Sequence, residues 1–243
     1  MWANVMFWSS LTTKTASMTG GGSAGNTRKS FGTVWQKTAF IAVIMAMSLS
    51  LTPYPVSAQS GESRPAQEEL INRAEMALMS MTTMRADFIQ FASDGSASEG
   101  RVYFRRPFQL RIDYTNPPDL SFVTSRVWIH VDDKIDKQVT SYPISQSPFA
   151  PLLKREITLR GEDVDVSARL DDGVAAVTLQ KKEGEAAGSL TLEFDVQSWR
   201  LRRWIITDAV GIQTQVTLQN PVYDVSLANK LFAKPAYAVP ADN

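Results

Sequence analysis

Sorted by parity, residues 102–114 (VYFRRPFQLRIDY) separate into two faces. One carries Val102, Phe104, Arg106, Phe108, Leu110, Ile112 and Tyr114; the other carries Tyr103, Arg105, Pro107, Gln109, Arg111 and Asp113. Successive side chains of a strand point to opposite sides, so this alternation predicts a half-buried strand. The same rhythm recurs in residues 164–170, 190–196 and 212–219, while 86–92, 121–124 and 127–131 form shorter apolar runs. Turn-forming clusters separate them at 93–98, at Asn116-Pro117-Pro118-Asp119, at 132–136, at Asp171-Asp172-Gly173, at 182–188 and at 208–211. Hairpin-linked strands with one wet face predict an antiparallel sheet.

Two segments break the rhythm. From Glu68, the residues Leu70, Ala74, Ala77, Leu78, Met81 and Met84 recur at helical spacing and predict one amphipathic helix with a methionine-rich flank. Methionine is unbranched and soft, which suits either core filling or an adaptable ligand-facing surface. Residues 143–153 (PISQSPFAPLL) hold three prolines, which excludes a central strand. The segment is too apolar to be left in water and is expected to cover something. One large sheet with a single apolar face needs a partner layer, and only one good helix and this cover are available. Either a second sheet supplies that layer, or the sheet curls over the helix and leaves an apolar hollow able to take a ligand.

The N-terminal quarter changes the picture of where the protein works. Residues 1–38 contain four cations and no acid, and an apolar run of about a dozen residues follows at 39–51. Pro53, Pro55 and the small-residue exit Val56-Ser57-Ala58 complete the pattern of a cleavable export signal, with cleavage near Ala58. Residues 1–58 are thus expected to be a signal peptide with a long leader, 59–67 a flexible linker, and 68–243 the folded domain. The mature part would keep 21 of 25 basic and all 25 acidic residues, a formal charge of −4. Nucleic-acid binding needs cationic surface, so that class is disfavoured. There is no cysteine, so neither disulfides nor a lipid anchor of its own are available.

Enzymatic constellations are missing. The lone histidine, His130, lies in an apolar strand without triad partners, and no GxSxG, HExxH or phosphate-binding glycine loop occurs. Zinc chemistry needs several Cys or His ligands. The paired acids Asp132-Asp133 and Asp171-Asp172 sit in turns, where solvated charge is the default.

That leaves Arg106, a permanent cation on a greasy face. Burying a guanidinium costs several kcal/mol unless its donors are matched. It can snorkel to a strand end, a reading that Pro107 favours. Alternatively its five fixed donors hold backbone carbonyls of a cover segment and act as a latch inside the hollow.

The segment VYFRRPFQLRIDYTNPP resembles the "RP…W/Y…P" stretch of LolA, the periplasmic outer-membrane lipoprotein carrier family. Further matching pieces are residues 88–90, Val127-Trp128-Ile129, Ser147-Pro148-Phe149 through Leu152-Leu153, Trp204-Ile205-Ile206-Thr207-Asp208 with Gly211, and Phe232 before Pro235. The resemblance runs from about residue 68 to 235 and rests on order and spacing rather than on one motif. It implies a single curved antiparallel sheet forming an unclosed barrel, mainly β with helices, lidded by an N-terminal helix and a short central helical or loop segment. It further implies an apolar cavity for the acyl chains of lipoproteins, with Arg106 bonded to the lid and Leu110 near the mouth. Arg105, which doubles the cation, and His130, at a position often aromatic in the family, depart from it.

The expected cavity lining is Met81, Met84, Phe88, Val102, Phe104, Phe108, Leu110, Ile112, Tyr114, Trp128, Phe149, Leu152, Leu153 and Phe194. No cofactor is expected. The implied role is a monomeric periplasmic chaperone carrying acylated lipoproteins from the inner to the outer membrane. Its partners would be an inner-membrane ABC releasing complex and, in some bacteria, an outer-membrane receptor lipoprotein. The competing readings are a lipid-binding sensor or regulatory domain, a carrier of another lipid and, least favoured, an esterase-like enzyme. A chain ending soon after Pro235 fits a free carrier better than a sensor fused to a second domain.

Overall fold

The computed structural model describes residues 63–116, 118–181 and 187–237. The signal peptide, the first residues of the linker, most of the turn at 182–188, Pro117 and residues 238–243 lie outside the described residues. Helix α1 spans Arg64–Ser80 and begins four residues before the helical spacing announces it. The reason is local: Pro65 occupies the first turn, where its fixed φ suits a helix and its missing N–H is not needed. Residues 64–67, expected to be part of a flexible linker, are therefore helical. The helix also ends before Met84, which belongs to the first strand, so the predicted stripe runs across two elements.

Eleven strands follow: β1 (Thr83–Ala92), β2 (Ala97–Arg105), β3 (Gln109–Asn116), β4 (Leu120–Thr124), β5 (Trp128–Asp133), β6 (Gln138–Pro143), β7 (Val164–Asp171), β8 (Val174–Lys181), β9 (Gly188–Asp195), β10 (Leu201–Asp208) and β11 (Gln213–Tyr223). They form one antiparallel sheet in the order β6-β5-β4-β3-β2-β1-β11-β10-β9-β8-β7. The chain runs outward from the central strand β1 to the edge strand β6, resumes at the opposite edge with β7, and runs inward until the last strand, β11, pairs with β1. Strands β6 and β7 do not pair with each other, so the sheet remains an unclosed barrel. Between them the short helix α2 (Ala150–Leu153), preceded by a single 3-10 turn at Ile144–Gln146, crosses the opening.

Residues 102–114 form a hairpin, not one strand. Strands β2 and β3 pair Val102 with Ile112, Phe104 with Leu110 and Arg105 with Gln109, and Arg106, Pro107 and Phe108 form the turn. The Arg106–Pro107 peptide is cis and Phe108 has φ +69°. Because even residues pair with even residues, side chains keep the same face across the turn. Parity alone therefore cannot distinguish a hairpin of this register from a continuous strand.

The concave face holds the core. Leu70, Ile71, Ala74 and Leu78 of α1 are buried against it, and Phe88, Tyr114 and Phe122 stack edge-to-face with centroids 5.4 and 6.0 Å apart. Gly100 is required beneath that stack: a Cβ there would lie 2.6 Å from the Phe88 ring and 2.3 Å from the Asp113 carbonyl oxygen. Strand β4 is buried on both faces, Phe122 inward and Ser121 and Val123 outward. Its outer cover is the C-terminal segment, a strap that runs from Asp224 through a 3-10 turn at Asn229–Phe232 to Tyr237.

Candidate functional site

The β2–β3 turn places Arg106 where two helices end. Its Nη1 donates to the carbonyl of Leu78 in the last turn of α1 at 2.9 Å. Its Nη2 donates to the carbonyls of Lys154 and Arg155, just past α2, at 3.2 and 2.5 Å, and lies 3.4 Å from the Met79 sulfur. The last carbonyls of a helix have no partner of their own, so a guanidinium with several donors in one plane is matched to two such ends at once. Next to it the Phe108 N–H donates to the Leu153 carbonyl at 2.8 Å, and the Thr124 hydroxyl donates to the Phe108 carbonyl at 2.8 Å. These bonds hold Phe108 in the left-handed region that a bulky residue otherwise avoids. Burial pushes the Arg106 guanidinium below its ordinary pKa, and its acceptors are carbonyls rather than a carboxylate.

A second set of contacts ties the segment after α2 to α1. The Leu159 N–H donates to Glu75 at 2.8 Å, and Arg160 bridges Glu75 and Glu68 at 2.8 and 2.6 Å while also reaching Asn72 at 3.0 Å. The Glu68 hydrogen bond raises the Arg160 pKa further. Helix α1 and the segment after α2 are thus joined to one another, and Arg106 joins both to the sheet.

Under this cover lie two hollows. The larger, about 330 Å³, opens between the two wings. Its walls come from β3–β6 on one side (Ile112, Phe122, Ile129 and Tyr142 among them), from β7–β11 on the other (Val164, Leu179, Leu190 and Ile206, with Ile212 just before β11), and from the cover residues 143–154. The smaller, about 40 Å³, sits under α1 and is walled only by apolar or aromatic side chains, from Leu78 and Met81 to Leu201 and Trp204. Leu110, Phe149 and Leu153 belong to both walls and form the partition between them. Phe149 packs edge-on against Trp204, centroids 5.5 Å apart.

The fourteen lining residues expected from sequence divide three ways. Leu110, Ile112, Phe149 and Leu153 line the larger hollow. Met81, Met84, Val102, Phe104 and Leu152, with the three shared residues, line the smaller. The remaining five line neither. Phe88 and Tyr114 fill the core, where the Tyr114 hydroxyl donates to Gln90 at 2.7 Å and burial pushes its pKa up. Phe194, 1% exposed, packs on Trp199. Phe108 sits in the turn with the Arg126 guanidinium 5.8 Å from its centroid. Trp128 is 44% exposed on the outer face, because its neighbour Ile129 takes the inner one.

The residues sequence reasoning passed over are those of the far wing and of β4–β6. The alternation of several of these strands is readable, but nothing in it says which strands face the opening. His130 is buried on the outer face, with its Nδ1 2.8 Å from the Ser141 hydroxyl. Burial first, and Lys234 second, hold its pKa below the ordinary histidine value.

The adjacent Arg105 points the other way. It donates to the Leu227 carbonyl at 2.8 Å and to Gln109 at 2.6 Å, with its guanidinium 4.7 Å from the centroid of buried Phe232. Arg111 donates to the Leu231 carbonyl at 3.0 Å, and the Tyr237 hydroxyl donates to buried Asp132 at 2.6 Å.

Among known proteins, the family described as "Outer membrane lipoprotein carrier protein LolA" matches residues 79–234. No curated protein matches the chain. Solved structures similar to it include a putative outer membrane lipoprotein-sorting protein domain from Vibrio parahaemolyticus, with 8% identity and TM-score 0.46, covering 70% of this chain and 97% of that one. A LolA superfamily protein from Nitrosomonas europaea has 9% identity and TM-score 0.41, covering 69% and 97%. The MucA/MucB complex of Pseudomonas aeruginosa has 10% identity and TM-score 0.41, covering 68% and 59%.

Proposed function

The chain belongs to the LolA family of outer membrane lipoprotein carrier proteins, and from that premise we propose that it is an exported, non-enzymatic carrier of acyl chains. The cargo is the acylated N-terminus of lipoproteins, which it takes from an inner-membrane ABC releasing complex and hands to the outer membrane, through a receptor lipoprotein where one exists. The observation that carries this reading is the Arg106 guanidinium, bonded at once to the ends of α1 and α2, over an apolar hollow of about 330 Å³.

The energetics suit a carrier. Each buried methylene contributes about 0.8 kcal/mol, so one long chain offers roughly 10 kcal/mol, too much for a protein that must let go. A cover that closes through Arg106 when the hollow is empty returns part of that gain, because cargo must displace it. The test is to isolate the protein from the periplasm under mild conditions and identify what comes with it by mass spectrometry. Acylated lipoprotein fragments support the carrier. Free lipid would move the assignment to another transport role, and a protein that never retains lipid would end it.

A further inference from the structure

We propose that the thioether of Met79 is a peroxide-sensitive site whose oxidation to the sulfoxide tightens the cover over the hollow and weakens lipid binding. The effect on lipid rests on the acyl-carrier reading; the modification and its effect on the cover do not.

Met79 stands in the last turn of α1, next to Leu78, whose carbonyl Arg106 holds. Its sulfur receives two donors from different parts of the structure. Arg106 Nη2, from the β2–β3 turn, lies 3.4 Å away, and the Ile157 N–H, from the segment after α2, lies 3.3 Å away. One atom of the helix thus meets both the sheet and the cover. A thioether is a weak acceptor, so both donors find a poor partner there. The residue is 44% exposed and its contact with Arg106 lies at the surface, within reach of a small dissolved oxidant. The other methionines of the described residues differ. Met84 is 2% exposed, Met81 is partly buried, and both wall the smaller hollow. Met76 is 62% exposed but makes no hydrogen bond to Arg106 or to the cover. Among the described residues only Met79 combines access with a place in the latch.

The oxidant is hydrogen peroxide. A sulfur lone pair attacks one peroxide oxygen, the O–O bond breaks, and the leaving hydroxide takes the proton of the transferred oxygen. Sulfur gives up two electrons and keeps that oxygen, and the rest of the peroxide leaves as water. The side chain now ends in a polar S=O group, a far better acceptor than the thioether it replaces. Methionine is unbranched and turns about three bonds, so it draws back far enough to seat the oxygen between its two donors. Arg106 is already fixed by the carbonyls of Leu78, Lys154 and Arg155, and the new oxygen joins that set. Hydrogen bonds from a charged donor are the strong ones. All of these exist only while the cover is closed, so the closed form gains population and cargo has more to displace.

The test treats the lipid-free protein with hydrogen peroxide and locates the added oxygen by peptide mass spectrometry. Two readouts follow: hydrogen exchange at the Ile157 amide, and affinity for a dipalmitoylated cysteine peptide. In the oxidised wild type the amide should exchange about ten-fold more slowly and the peptide should bind about ten-fold more weakly, the order of one net hydrogen bond to a charged group. Met79→Leu keeps the bulk and takes no oxygen, so neither readout should move with peroxide. Met76→Leu should respond as the wild type does. Met79→Gln, whose amide oxygen sits one bond beyond the same chain position, should weaken peptide binding without any oxidant. Absence of oxygen on Met79, readouts that stay put once it is there, or an equal response in Met79→Leu would overturn the inference and leave the carrier reading intact. A protein that binds no acylated peptide in either state would overturn the carrier reading, while the Ile157 amide would still decide whether oxidation tightens the cover.

Discussion

Arg105 and Arg106 are neighbours in the chain and do the same chemistry on opposite sides of the sheet. Each guanidinium donates to backbone carbonyls of a distant segment: Arg106 to the ends of α1 and α2 inside, Arg105 to the C-terminal strap outside. What differs is the material behind them. Inside, the segments held by Arg106 roof a hollow of about 330 Å³. Outside, the strap held by Arg105 and Arg111 lies on filled structure, with Phe232 8% and Val123 0% exposed. A cation over a cavity can be displaced by whatever fills the cavity. A cation over a packed face has nothing to yield to, and only stabilises.

The largest effect should come from removing the outer packing. Phe232→Ala deletes a buried aromatic ring beneath Arg105, and large-to-small changes of this kind cost about 3 kcal/mol or more. Thermal unfolding should shift down by many degrees, while lipid affinity, corrected for the folded fraction, stays unchanged. A change in lipid affinity would mean the two faces are coupled.

Arg106→Leu should show the opposite division. Loss of hydrogen bonds from a charged donor costs about 2 kcal/mol of stability, measurable by denaturant titration. Because closure no longer opposes binding, lipid should load more tightly, up to about thirty-fold for that energy, and unload more slowly in a vesicle transfer assay. Wild-type loading and unloading rates would refute the catch. Arg105→Leu is the control. It should lose about 1 kcal/mol and leave transfer rates untouched.

The smallest effect is a pH dependence confined to the outer face. His130 has its folded pKa held below the ordinary value near 6.5, so the unfolded chain binds the proton more readily. Its contribution to stability is therefore fully present above about pH 6.5 and is lost as pH falls below it. Melting temperatures at about pH 7.5 and about pH 5.5 should differ for the wild type, and by less for His130→Gln. An unchanged difference in the variant would assign the pH response to other groups.

Most of the sheet was legible in the sequence, because a strand with one wet face writes its own period. The strands around 164–170, 190–196 and 212–219 are where the alternation puts them. β8 and β10 were not drawn from it. β8 carries a run buried on adjacent positions, Ala175, Ala176 and Val177, and a strand covered on both sides has no period to read. In β10 the apolar residues Trp204, Ile205 and Ile206 follow one another and blur the alternation. The turn at Arg106-Pro107-Phe108 was hidden for a different reason, since a register that pairs even with even leaves parity undisturbed.

The chain by itself therefore determined most of the elements, the oddity of Arg106 and the apolar character of the cover, all of which depend on neighbours a few residues away. Only the tertiary structure decided which residues line the hollow, that Trp128 faces outward, that Phe88, Tyr114 and Phe194 are core, and that Arg105 and Arg106 serve opposite faces. The physical reason is curvature. Alternation tells two faces of a strand apart, but which face becomes concave, and which strands meet across the gap, depend on how the whole sheet bends and where α1 and the strap come to rest.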